Sequence, residues 1–364
     1  MAGSTFGKNI TITTWGESHG KGLGVVIDGF PAGLDIDEIY IQSYLNRRKP
    51  GQSKYTTARA EGDEVQILSG VFDGVTTGTP ISLIVMNKDQ HSGDYGDIAT
   101  TYRPGHADFG FKSKYGIRDY RGGGRSSGRE TIGRVAAGAF CAKLLDQIGI
   151  SLYAYTRSIG DISVENFSPA ERDNNSLYMP DMDAAARAAE YLEACILNND
   201  SAGGIIECII SGVPAGIGEP VFDKLDANLA KALVSIGSVK GVEIGDGFAA
   251  SKTTGSINND QFRMDGAKVI KTTNHSGGVL GGISDGSDII VRAAIKPTPS
   301  ISQVQRTVNE SGDEVDIQIH GRHDPVIVPR AVVVVESMCA ITIADAIMSH
   351  MTDRVDYIKE FYRN

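Results

Sequence analysis

The stretch Arg121-Gly-Gly-Gly-Arg125-Ser126-Ser127-Gly128-Arg129-Glu130 runs directly into an apolar segment, 131–148, and this junction constrains the fold more than any other feature of the chain. Three glycines followed by two hydroxyls let the backbone turn tightly and approach a neighbouring group closely. Arg121, Arg125, Arg129 and Arg134 crowd four guanidinium groups together, with too few carboxylates beside them to match. The segment after them reads as a helix in which Val135, Ala136, Ala139, Phe140, Ala142 and Leu145 leave no clearly polar face. A helix apolar nearly all round is a buried one. The expectation is a glycine turn and a helix N-terminus offered to phosphate from inside a large core. The competing reading is a solvated loop with surface arginines.

A chain of 364 residues holds one large domain or two ordinary ones. No low-complexity linker divides it, so one intertwined unit over 1–364 is expected. The net charge of −10 argues against a general nucleic-acid binder and makes the arginine-rich junction more informative. No run reaches the roughly eighteen apolar residues of a membrane span, and no signal-peptide core leads the chain. Cys141, Cys195, Cys208 and Cys339 lie in apolar runs without paired metal spacing. They read as reduced core residues of a cytoplasmic protein without a metal site.

In chain order, 9–15 and 24–28 read as strands around Gly16-Glu17-Ser18-His19-Gly20, a loop presenting an acid, a hydroxyl and an imidazole. A helix over 37–48, capped by Asp35 or Asp37, ends in Arg47-Arg48-Lys49 before a polar loop with Gln52, Lys54 and Arg59. Basic residues in a last turn suit the helix dipole, and here they also suit an anion. Residues 65–72 and 80–85 form a hairpin pair around Asp73-Gly74. The long irregular stretch 88–128 carries Arg103-Pro-Gly-His106-Ala-Asp108, and irregular stretches of that length usually have a function. Alanine-rich 181–197 reads as a helix, and 329–349 as a second one despite its four consecutive valines.

The second half echoes the first. Cys208-Ile-Ile-Ser-Gly-Val-Pro-Ala-Gly216 repeats the strand and turn that end at Gly33, and a helix over 223–235 follows. Gly321-Arg322-His323-Asp324 leads to Arg330 and its apolar run, as Gly124-Arg125-Ser126 leads to Arg134. A duplicated unit about a pseudo-twofold axis is expected. Two late stretches, the glycine-rich 274–284 and Lys296-Pro297-Thr298-Pro299-Ser300, match neither the Walker nor the dinucleotide fingerprint.

Taken together, Gly16-Glu-Ser-His-Gly20, Asp28-Gly-Phe-Pro31, Arg103-Pro-Gly-His-Ala-Asp108, Gly122-Gly-Gly-Arg-Ser-Ser-Gly-Arg-Glu130 and Gly321-Arg-His-Asp-Pro325 resemble the chorismate synthase family. The resemblance implies an α+β fold, with helices sandwiched between antiparallel sheets in a pseudo-twofold βαβ arrangement. It implies a lyase that converts 5-enolpyruvylshikimate-3-phosphate to chorismate with reduced FMN, which undergoes no net redox change. It also implies a homotetramer. His19 would protonate the leaving phosphate, His106 would stabilise charge on the reduced flavin, and Asp324 would act near flavin N5. The implied FMN contacts are Arg125, Ser126, Ser127, Gly237, Ser238, Gly281, Lys296, Pro297, Thr298, Pro299, Ser300 and Arg322. Arg48 and Lys54 match positions tied to a nicotinamide cofactor or a substrate anion, and Arg48, Arg129 and Arg134 are the expected substrate-binding arginines.

The chain departs from the family at Lys54, Gly128 and Pro299, where Arg, Ala and Ser are common. Lysine keeps the charge but loses the bidentate fork. No reductase domain is evident, so a separate flavin reductase is expected to supply reduced FMN, with NADPH as the source of reductant. Another FMN-dependent enzyme acting on a phosphorylated carboxylate is the alternative. A nucleotide-binding module without chemistry would have no use for His19 and His106.

Overall fold

The computed structural model describes residues 3–52, 55–56, 62–87, 99–319 and 324–363. The first half runs β1 (Thr5–Phe6), β2 (Thr11–Gly16), β3 (Gly22–Asp28), α1 (Glu38–Arg48), β4 (Val65–Ser69), the short hairpin β5 (Val71–Phe72) and β6 (Val75–Thr76), β7 (Ile81–Met86), α2 (Asp108–Tyr115) and α3 (Thr131–Asp146). The second runs β8 (Ser151–Ile159), β9 (Ile162–Ser163), α4 (Met182–Leu197), β10 (Gly204–Ser211), α5 (Leu225–Val234), β11 (Val239–Ile244) and α6 (Gly255–Asn258). Then come the hairpins β12 (Phe262–Asp265) with β13 (Lys268–Lys271) and β14 (Val279–Leu280) with β15 (Ile283–Ser284), followed by β16 (Ile289–Ile295). A last hairpin, β17 (Val304–Val308) with β18 (Glu314–Gln318), precedes α7 (Val328–His350) and α8 (Val355–Tyr362).

Two antiparallel five-stranded sheets, ordered β1-β2-β3-β7-β4 and β11-β16-β10-β8-β9, enclose a layer of helices. Helix α3 packs on β2 and β3, α7 packs on β8 and β10, and the two helices pack on each other, with α1 and α5 beside them. The series β2-β3-α1-β4-β7-α3 recurs as β8-β10-α5-β11-β16-α7, and the matching strands lie in the same spatial order. This is the duplication read from the sequence, and α4 is an insertion between the first two strands of the second copy.

The patterns that form these elements are plain. Strand β16 alternates, burying Ile289, Val291, Ala293 and Ile295. Helix α1 starts where the Asp37 carboxylate accepts from the Tyr40 N–H at 2.8 Å. The turn at Asp73-Gly74 has positive φ at both residues, 48° and 79°, which suits a two-residue hairpin. At the centre, a Cβ on Gly138 of α3 would lie 2.2 Å from the Ser337 Cβ of α7, so glycine sets how closely the two helices cross.

Two expectations need correction. Residues 108–115 lie inside the stretch read as irregular, yet they form α2, whose first turn carries Asp108 just after the Pro104-Gly105 turn. Helix α7 is long and apolar enough by composition to cross a membrane, against the reading that no such run exists. Its four consecutive valines, with Ile341 and Ile343, are buried against protein instead, and 72% of its apolar window is buried. A helix covered by two sheets has no polar face to show.

Candidate active site

The C-terminus of α1 and the starts of α3 and α7 bring together a buried chain of charges. Arg48, 2% exposed, donates through Nη2 to the Asp63 carboxylate, itself 4% exposed. Arg129 pairs with the other oxygen of Asp63 at 3.2 Å. Arg330 donates from Nε to the Arg48 carbonyl at 3.0 Å and pairs through Nη1 with Asp324. Among the described residues, three guanidinium groups thus meet two carboxylates. Burial lowers the Arg48 pKa, Asp63 opposes that shift, and Arg330 adds to it. Arg48 Nε is buried and makes no hydrogen bond among the described residues. A buried cation with a spare donor is an anion site in waiting.

The loop after β2 reaches this chain through Asn87. Its Nδ2 lies 2.7 Å from Gly20 O and 3.2 Å from Glu17 O, while its Oδ1 accepts from Arg129 Nη2 at 2.7 Å. His19, held in the same loop, has Nδ1 3.1 Å from Ser18 Oγ. Gly122 closes on the imidazole so tightly that a Cβ there would lie 2.4 Å from His19 Nδ1.

A second polar shelf forms where the turn 103–106 lies on the strand end 296–300. Lys296 Nζ donates to Gly105 O at 2.7 Å, and His106 Nε2 lies 2.9 Å from Ser300 Oγ. His106 Nδ1 lies 3.0 Å from Pro104 O, a group that only accepts, so the Nδ1 proton is present and Nε2 accepts from the serine hydroxyl. Burial first, and then neighbouring Arg103, lower the His106 pKa to about 4, so the ring is neutral at pH 7. The turn is held by Asp108, which accepts from Arg103 Nε at 2.7 Å and pairs with Arg118 at 2.9 Å. Burial raises the Asp108 pKa, but Arg103 and Arg118 outweigh that and leave it lowered. Ser238, at φ 74°, accepts from the Lys296 N–H at 3.0 Å, and Gly237 faces Ser126 O. Thr298 Oγ1 is buried and makes no hydrogen bond among the described residues.

Several expected site residues are engaged elsewhere. Arg125 donates to Gly16 O at 3.0 Å and to Thr14 O and Oγ1 at 3.0 and 2.6 Å, tying its loop to β2. Arg134 pairs with Glu130 at 2.8 Å and donates to Ser235 Oγ and O at 2.6 and 3.0 Å, pinning α3 to the end of α5. Arg121 pairs with Asp119 at the surface. The four clustered arginines are therefore engaged, chiefly by Asp63, Asp119, Glu130 and backbone carbonyls, and a spare buried donor among the described residues lies at Arg48 Nε. The Ser126 hydroxyl donates to Gly123 O at 2.6 Å, and Ser127 Oγ accepts from the Arg129 N–H at 3.3 Å. Gly281 sits in the turn next to the start of α5, whose Leu225 N–H donates to Gly282 O. Gly237 lies beyond the other end of that helix, roughly 15 Å away at 1.5 Å per residue. One chain does not bring the two glycines together. Lys54, Arg59 and Arg322 lie outside the described residues. A cavity of about 1270 Å³ opens beside the glycine loop, lined by Glu17, Lys114, Asp119, Arg125, Ser126 and Arg134 among others.

Asp63 and Asn87 were not singled out from sequence. Arg330 was matched to Arg134 of the first copy but given no site role, which that match could have suggested.

Known proteins match the chain over its whole length. The family model for chorismate synthase matches residues 10–348. The chain is 64% identical to the chorismate synthase of Agathobacter rectalis and 63% identical to that of Lachnoclostridium phytofermentans, each match covering 100% of both chains. It is 55% identical to the chorismate synthase of Methanocella arvoryzae over 96% of this chain and 95% of that one. A crystal structure of chorismate synthase superposes with a TM-score of 0.78 at 31% identity, covering 98% of this chain and 97% of the other. The chain belongs to the chorismate synthase family of carbon–oxygen lyases.

Proposed function

We propose that this enzyme eliminates phosphate from 5-enolpyruvylshikimate-3-phosphate in an anti-1,4 sense to give chorismate, with reduced FMN as a cofactor that is not consumed. The observation that carries the reading is the buried Arg48 guanidinium, whose Nε makes no hydrogen bond among the described residues, set beside Arg129 and Arg330. A substrate with one phosphate and two carboxylates supplies what such a site lacks. Arg48 and Arg129 hold the substrate, and His19 gives a proton to the departing phosphate. Asp324 holds the proton lost from C6.

The polar shelf suits FMN. Lys296 supplies a cation, Ser126, Ser238 and Ser300 supply hydroxyls, and Thr298 Oγ1 is a buried donor with no hydrogen bond among the described residues. Among the described residues, no side chain lies within 4 Å of where a Cβ on Gly237 would be. When bound, reduced FMN supplies electron density to the allylic system as phosphate leaves. His106 is neutral in the free protein, and an anion beside it would raise its pKa, moving the ring toward its charged form. Given their contacts, Arg125 and Arg134 act by holding the loop and helix that carry Ser126 and Arg129.

We assign the working form as a cytoplasmic homotetramer of undivided chains. A separate flavin reductase drawing on NADPH supplies reduced FMN. The test is anaerobic phosphate release with reduced FMN in substoichiometric amount. Many turnovers per flavin, with no reductant consumed, are expected; one reductant oxidised per phosphate would assign an oxidoreductase instead.

A further inference from the structure

Asn87 follows β7 directly, and its N–H donates to Lys21 O at 3.0 Å, so the sheet fixes its backbone. The two ends of its side chain do opposite things. Nδ2 faces three carbonyl oxygens, of Gly20 at 2.7 Å, Glu17 at 3.2 Å and Ser18 at 3.4 Å. Oδ1 faces Arg129 Nη2 at 2.7 Å. Carbonyls only accept and guanidinium only donates, so an amide in this one orientation satisfies both sides. An aspartate would turn a carboxylate toward three carbonyl oxygens, and an alanine would hold neither side.

The carbonyls of Ser18 and Gly20 belong to the residues on either side of His19. Arg129, gripped by the other end of the amide, also pairs with Asp63 and so joins the chain to Arg48. One side chain therefore sets the loop that bears the imidazole against the guanidinium cluster. The loop is bounded by Gly16 and Gly20 and has little stiffness of its own. We propose that Asn87 is a positioning residue for this reaction, holding His19 in register with Arg129 so that both act on one phosphate. The proposal rests on the reading of His19 as proton donor. Proton transfer needs heavy atoms about 2.6–3.2 Å apart, and a displacement of about 1 Å costs on the order of a hundredfold.

The test is a double-mutant cycle on phosphate release, with FMN binding and thermal unfolding measured on every variant. Asn87→Ala and Asn87→Asp should each lower kcat by about ten- to a hundredfold, with FMN affinity unchanged. On a His19→Ala background, Asn87→Ala should cost little more, because its effect passes through the imidazole. A full additive loss on that background would overturn the proposal. A separate readout uses the free protein: the His19 ring N–H and C–H resonances should move in both Asn87 variants, with other histidines unchanged. If His19→Ala alone turned over like the parent, the reading of His19 would fail. The resonances would then decide Asn87 by themselves, and unmoved signals would overturn its positioning role.

Discussion

His106 shows how a residue's surroundings fix its chemistry before any ligand arrives. Its ring in the folded protein takes up a proton only near pH 4, against 6.5 for an unperturbed histidine, because burial and Arg103 oppose the charge. Between those values the unfolded chain binds the proton more readily than the folded one. The contribution of the neutral ring to stability is therefore complete above about pH 6.5 and is lost as pH falls toward 4. His106→Gln keeps a side chain able to donate and accept but removes the titration. The melting temperature of the parent should fall more steeply between pH 6.5 and 4 than that of His106→Gln. Parallel curves would mean that His106 is already as solvated as a surface histidine. Saturating FMN should shrink the difference, since an anion near the ring raises its pKa.

At the scale of elements, the crossing of α3 and α7 sets the separation of the two sheets, and Gly138 sets the crossing. Alanine is the better helix former by about 1 kcal/mol. Its Cβ at position 138 would nonetheless fall 2.2 Å from Ser337 Cβ and 2.6 Å from Ser337 Cα, on a backbone with sheets behind it. Gly138→Ala should therefore destabilise by about 1–3 kcal/mol, seen as a lower urea midpoint. Gly128→Ala serves as the contrast, because no atom of the described residues lies within 4 Å of its ideal Cβ and its φ is not positive. It should change stability by less than about 0.5 kcal/mol.

These helices were legible in the sequence because an all-round apolar pattern has one reading, burial, and because the second copy repeats the first. Contacts made across the fold were not legible. Asp63 and Asn87 stand at the entrances and exits of strands, with no spacing to mark them. The local arginine excess at 121–134 misled for the same reason: Ser235 and Asp63, far along the chain, engage Arg134 and Arg129. Helix α2 was hidden by Gly110 and by the turn residues just before it.

At the scale of the whole molecule, the candidate site lies where the duplicated halves meet. Arg48, Asp63, Asn87 and Arg129 come from the first half, and Lys296, Ser300, Asp324 and Arg330 come from the second. One link that joins them is Arg330, bonded on one side to the Arg48 carbonyl and on the other to Asp324. Asp324 thus has a structural task in the ion pair and, by the proposed reaction, a chemical one at the substrate's C6 proton. Asp324→Asn separates the two. The amide keeps the shape and can still accept from Arg330, but it cannot hold the proton. If the carboxylate takes part in chemistry, kcat should fall by about a hundredfold to ten-thousandfold. The KM should rise little or even fall, because removing a carboxylate raises the excess positive charge that receives an anionic substrate. Deuterium at C6 should then slow turnover more than in the parent, since C–H cleavage becomes the slower step. If Asp324 serves only the pair with Arg330, kcat and the isotope effect should stay at parent values. The loss would then appear as about 1–3 kcal/mol of stability, the cost of leaving a partly buried guanidinium with a weaker partner.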